Sequence, residues 1–110
     1  QTASKIYVDA TIRNYIVSLV YVTRNPAPYI GEDRARYIKY GASPRASIAF
    51  LQAARAFALL QGRAYVIPED VRSLRHVILR HRVLLTFEGQ ADGVRGEDLI
   101  DAIFGAVPTP

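Results

Sequence analysis

The sequence predicts an all-α fold: a four-helix bundle with a long first loop and room for one short two-stranded β element. Three observations carry that reading. Apolar residues recur at helical spacing through residues 9–25 and 43–61, helix-starting and helix-stopping residues bracket four segments, and the extended-type runs, 65–67 and 83–89, are short and isolated.

The first helix, 9–25, places Ile12, Tyr15, Ile16, Leu19 and Val20 on one face. Asp9 suits its start and Pro26 its stop, because a residue before proline is pushed out of the helical region. Residues 1–8, "QTASKIYV", read as a tether arriving from a preceding part of a longer protein; the chain has no methionine and begins with Gln1, as a fragment would.

Residues 26–42, "PAPYIGEDRARYIKYGA", have no sustained period. Loops this long are uncommon in compact domains, and Tyr29, Tyr37, Tyr40, Ile30 and Ile38 predict that this one is packed, with room for a helical turn or a strand.

The second helix, 43–61, starts with Ser43 as cap and Pro44 at the first helical position, where a missing N–H costs nothing, and Gly62 suits its exit. Between them the segment is apolar almost all round, with Arg45, Gln52 and Arg55 forming a thin polar stripe, which predicts a helix at the centre of the bundle.

A third helix, 68–81, opens with Pro68, Glu69 and Asp70, residues the N-terminal dipole favours, and turns Val71, Leu74, Val77 and Ile78 inward. "VLLTFEG", 83–89, is strand-like and is expected to pair with 65–67. "GQADGV" reads as a turn, and a last helix, 97–105, carries Leu99, Ile100, Ile103 and Phe104 on one side.

At 110 residues, 1–110 is expected to be a single domain. The absence of cysteine excludes disulfides and thiolate metal sites. Net charge is +4, from 14 basic against 10 acidic residues, which is compatible with an anionic partner without requiring one. No apolar run approaches the length of a bilayer span.

Catalytic carboxylate pairs, a nucleophile with its base, and a glycine-rich phosphate cradle are all missing, so the chain is not expected to run a reaction alone. His76 and His81 are five residues apart with no acidic residue at ligand spacing, so no metal site is expected. Arg72, Arg75, Arg80 and Arg82 make a basic helix that a nucleic acid would accept, although no aromatic platform accompanies them.

Arg45 poses a puzzle. A helix start collects anions through its unpaired N–H groups and dipole, yet the same dipole disfavours a cation in the first turn by a few tenths of a kcal/mol. Either Arg45 projects into water from the polar stripe, or helix terminus and guanidinium serve one phosphate ligand.

Residues 41–85, "GASPRASIAFLQAARAFALLQGRAYVIPEDVRSLRHVILRHRVLL", resemble the C-terminal lid domain of MoxR-type AAA+ ATPases, and the similarity continues upstream through "VTRNP". The resemblance implies an AAA+ lid-type bundle in which "SPRA" is the sensor-2 motif, Arg45 its nucleotide-contacting arginine, and Ser43 and Pro44 the residues that shape the helix start. It further implies ATP and Mg²⁺ in the full-length protein, with none bound by the fragment, and the Walker motifs, catalytic glutamate and magnesium ligands upstream. Implied partners are the protein's own AAA+ core and neighbouring subunits of a homo-oligomeric ring, expected to be a hexamer, together with client complexes containing von Willebrand A domains. The implied role is chaperone-like remodelling in the cytoplasm, with the lid swinging about the 1–8 tether. One departure is visible: Ile67 stands where the family often has Thr or Ser, so the third helix lacks its usual side-chain cap. The rival reading is a free-standing nucleic-acid-binding bundle using Arg72–Arg82.

Overall fold

The computed structural model describes residues 5–110. Its elements are α1 (Ala10–Arg24), α2 (Ala27–Ile30), α3 (Glu32–Ala35), β1 (Ile38–Tyr40), α4 (Arg45–Leu60), α5 (Pro68–Ser73), α6 (Arg75–Leu79), β2 (Leu84–Leu85), α7 (Phe87–Ala91) and α8 (Gly96–Ala106). The four expected helices correspond to α1, α4, the α5–α6 pair and α8. Helix α1 packs against α4 and α8, and α4 against α5 and α6.

Helix α1 forms as its periodicity requires. Asp9 accepts the Thr11 N–H at 3.0 Å and the Thr11 hydroxyl at 2.6 Å, and Ile12, Tyr15, Ile16, Leu19 and Val20 are buried. These hydrogen bonds hold the Asp9 carboxyl below the usual carboxylate range. In α8, Leu99, Ile100, Ile103 and Phe104 are all buried, and Phe104 meets Tyr15 edge-on and Phe50 at a tilt, each with centroids 6.4 Å apart.

The expected tether is not wholly a tether. Ile6 and Val8 are buried in the core, the Tyr7 N–H donates to Ala64 O at 2.9 Å, and Val66 N–H donates to Tyr7 O at 2.9 Å. Residues 6–8 therefore move with the bundle. Residues 1–4 of the expected tether lie outside the described part.

The strand pairing also differs from expectation. β2 pairs antiparallel with β1, Ile38 opposite Leu85 and Tyr40 opposite Leu84, while Tyr65 forms a parallel bridge with Tyr7. Extended propensity at 65–67 and 83–85 is legible locally, whereas the partner depends on which backbone the packed helices bring alongside. Beyond β2, "TFEGQA" coils into α7 because Thr86 accepts the Gly89 N–H at 3.0 Å, a cap hidden inside a strand-like run. The long loop contains α2 and α3 hinged at Gly31, whose φ of 86° favours glycine.

The expected continuous helix over 68–81 breaks at Leu74 (φ −97°, ψ 1°) and ends at Leu79. The break rotates the following turn, so Val77 is exposed and Leu79 takes the inward position beside Ile78. Nor is α4 enclosed as expected. Its fully buried stripe is Ala46, Phe50, Ala54 and Ala58, while Ile48 and Leu60 are exposed. Alanine at three of the four positions of this stripe lets neighbouring helices approach closely, and Phe50 fills the remaining space.

The exit of α4 is a helix-stop motif. Gly62 takes φ 75°, its N–H reaches Leu59 O at 3.0 Å, and the Arg63 N–H reaches back to Ala58 O at 3.0 Å. Arg63 then forms two parallel bonds with the buried Asp70 carboxylate, 2.8 and 2.6 Å, and Asp70 also accepts the Ile67 N–H at 2.9 Å. The missing cap at Ile67 is thus answered from the other side: the Asp70 carboxylate satisfies the backbone donor and is itself neutralised by Arg63.

Candidate functional site

The site begins where α1 ends. Thr23 is fully buried, and its hydroxyl donates to Val20 O at 2.6 Å and accepts the Ala42 N–H at 3.0 Å. That pair fixes the chain entering α4 to the last turn of α1. Gly41 makes the approach possible: a Cβ there would stand 2.1 Å from Thr23 O and 2.6 Å from Arg24 N. This need for glycine arises from crowding and not from a left-handed turn, since Gly41 is absent from the residues with positive φ.

From this clamp the chain turns into α4. Ser43 O accepts the Ala46 N–H at 2.9 Å and Ser43 Oγ accepts the Arg45 N–H at 3.3 Å, while Pro44 O accepts the Ser47 N–H at 3.0 Å. Ser43 therefore makes the contacts of a capping residue, two positions before Arg45, where the helix begins. Arg45 is exposed in the first turn, and among the described residues its guanidinium has no hydrogen bond or carboxylate partner.

Alongside lies a shallow cleft lined by Arg24, Lys39, Tyr40, Gly41, Ser43 and Pro44. No acidic residue lines it. Arg24 and Lys39 are exposed and, like Arg45, have no ion-pair partner among the described residues; the Lys39 ammonium sits 5.5 Å from the Tyr40 ring centroid. The cleft takes Arg24 from the last residue of α1 and Lys39 from the middle of β1, and its Ser43–Pro44 wall leads directly into Arg45 at the start of α4.

Sequence reading singles out Ser43, Pro44 and Arg45 but not Thr23, Gly41, Arg24 or Lys39. A signal for the first two existed in retrospect, a threonine within the apolar half of a helix and a glycine just before a capped helix start. Arg24 stood inside the "VTRNP" segment with no role assigned to it, and Lys39 carried no signal, because its proximity depends on β1.

The basic helix is largely committed elsewhere. Arg72 donates to the Tyr15 hydroxyl and Phe104 O, both at 3.3 Å, and stands over the Phe104 ring. Arg75 donates to Asp101 and to Arg72 O, both at 2.7 Å, and Arg82 donates to Ile78 O at 2.7 Å. Of the four arginines proposed for nucleic acid, Arg72 and Arg75 are occupied in tying helices together and Arg82 bonds the end of α6, and nothing favours that reading. His76 lies 3.0 Å from Asp101, whereas His81 is exposed beyond α6. Among the described residues no group of three or more His, Cys, Asp or Glu side chains gathers, and no helix is long and apolar enough to cross a membrane.

Comparison with known proteins agrees with this architecture. Residues 31–103 match the family model of the AAA lid domain. The whole chain is 37% identical to the chaperone MoxR1 of Mycobacterium tuberculosis, and 97% of it aligns at 36% identity with the protein MoxR of Paracoccus denitrificans. A crystal structure described as a "putative ATPase" from Cytophaga hutchinsonii superposes with a TM-score of 0.94 at 38% identity, over 98% of this chain and 33% of that one. The chain spans only 29% and 33% of the lengths of the two MoxR relatives. Fold, family match and similarity along the whole of this chain converge: it belongs to the AAA lid domain family and is a lid domain of the MoxR type.

Proposed function

We propose that this lid closes over ATP held by an AAA+ core elsewhere in the same protein, with Arg45 acting as the sensor-2 arginine on the terminal phosphates. The observation that carries the reading is the Arg45 side chain itself, exposed in the first turn of α4 and without a partner among the described residues. A cation there works against the helix dipole until a polyanion arrives, after which terminus and guanidinium attract the same charge. The charge developing on a transferred phosphoryl group makes such an arginine count most in the transition state.

Ser43 and Pro44 set the helix start, and the Thr23–Gly41 clamp sets where that start stands relative to the rest of the lid. Residues of the core would hold Mg²⁺ beside the phosphates. Since residues 6–8 are packed into the bundle, any pivot between lid and core lies before Ile6. A rigid lid transmits nucleotide state to its neighbours as movement of a whole surface, which fits a homo-oligomeric ring, a hexamer by family resemblance, that remodels client complexes in the cytoplasm. Clients with von Willebrand A domains belong to the same proposal.

Arg45→Ala in the full-length protein is the test. ATP turnover is expected to fall by about 10²-fold or more, with the lid's unfolding midpoint unchanged because the side chain is exposed and has no partner among the described residues. Turnover and ATP affinity equal to wild type would refute the assignment.

A further inference from the structure

We infer that Arg24 and Lys39 form, with Arg45, a three-cation cradle for the polyphosphate of the nucleotide, so that the lid grips its ligand through three elements and not through a single arginine. The inference rests on the nucleotide reading above and extends it to two residues that reading does not require.

Arg24 and Lys39 line one cleft together with Ser43 and Pro44, the two residues immediately before Arg45. Unpaired surface arginines are common, and Arg24 alone would be explained by the C-terminal dipole of α1, which favours a cation. That explanation does not extend to its neighbours. Lys39 stands on a strand, and Arg45 opposes the dipole of its own helix. Arg36, Arg63 and Arg75 each reach a carboxylate and other arginines, such as Arg13 and Arg80, reach none among the described residues; what marks this cleft is that it gathers two cations with no acidic residue in its lining.

The fold also holds these cations together. Gly41 lets the β1–α4 connection lie against the Thr23–Arg24 peptide, and the Ala42 N–H is bonded to Thr23, so Arg24 and the start of α4 cannot drift apart. Grouped like charges repel, and cations gathered on anchored backbone, with no carboxylate partner among the described residues, are suited to a ligand carrying several negative charges in a row. A triphosphate fits that description better than a mononucleotide, whose single phosphate would meet one arm.

The experiment is a calorimetric titration of the full-length protein with ATP, ADP and AMP. The variants are Arg24→Ala, Lys39→Ala, Arg24→Lys and Arg45→Ala, and unfolding midpoint and ring mass are measured for each. Arg24→Ala and Lys39→Ala are each expected to weaken ATP about three- to tenfold, ADP less, and AMP not at all, with midpoint and ring mass unchanged and Arg24→Lys recovering most of the loss. Wild-type ATP affinity in both alanine variants, beside a loss in Arg45→Ala, would overturn this inference and leave the sensor assignment standing. A parallel loss for ATP and AMP would show a distorted site and overturn it as well. So would a fall in ring mass with ATP binding intact, which would assign the cations to a neighbouring subunit. Weakened binding in Arg24→Ala beside an unaffected Arg45→Ala would keep the cleft as a polyphosphate site and refute the role of Arg45.

Discussion

Replacing Gly41 by alanine tests the clamp on which the site is built. The added Cβ would sit 2.1 Å from Thr23 O, 2.4 Å from Thr23 C and 2.6 Å from Arg24 N, all backbone atoms. Ordinary carbon contacts are about 3.5–4 Å, so relief needs the loop to withdraw from α1 by more than about 1 Å. Withdrawal on that scale lengthens the 3.0 Å bond from Ala42 N–H to Thr23 Oγ1 beyond hydrogen-bond range. The stranded buried donor costs about 1–3 kcal/mol, and the residual overpacking about 1–3 kcal/mol more. A loss of about 2–6 kcal/mol is therefore expected from urea unfolding, equivalent to at least about 8 °C in the thermal midpoint of a domain this size. Thr23→Val removes the hydroxyl without the clash and should lose the hydrogen-bond part alone. Because both changes break one contact, the double variant should cost less than their sum. A Gly41→Ala variant within about 0.5 kcal/mol of wild type would refute the reasoning, since surface substitutions away from such contacts fall in that range.

Two further outcomes follow from the ion pairs. Asp70→Ala should destabilise the lid by about 3–5 kcal/mol in denaturant unfolding, because it strands Arg63, whose side chain is only 22% exposed, and frees the Ile67 N–H. Asp101 has its carboxyl held below the usual range, first by the Arg75 hydrogen bond and then by the charge of His76 and Arg75. A depressed folded-state pKa contributes stability above the ordinary carboxylate pKa of about 4 and loses it as pH falls through the lower folded value. Asp101 is 48% exposed, so Asp101→Asn should cost no more than about 1 kcal/mol at pH 7, and the difference from wild type should vanish in acid. Thermal unfolding of both proteins from pH 7 to pH 2 measures it.

Much of the bundle was legible locally because its causes are local. The Asp9 cap, the five-residue face of α1, the Gly62 exit and the apolar side of α8 each depend on residues within one helix, and each forms as its spacing requires. The Thr86 cap was equally local but lay concealed in a β-branched, aromatic run that also satisfies a strand pattern. The break at Leu74 left no proline or glycine to mark it, so periodicity carried through it and put Val77 on the wrong side.

By itself, then, the sequence determined where the four main helices begin, which faces of α1 and α8 turn inward, and that Arg45 sits at odds with its own helix dipole. Tertiary structure decided which extended segments pair, that Ile6 and Val8 belong to the core, and that Thr23, Gly41, Arg24 and Lys39 meet at the head of α4. The division has a physical cause: hydrogen bonding and side-chain periodicity within a helix act between residues a few positions apart, whereas contacts such as Thr23 with Ala42 join residues nineteen positions apart and exist only once packed helices bring them together.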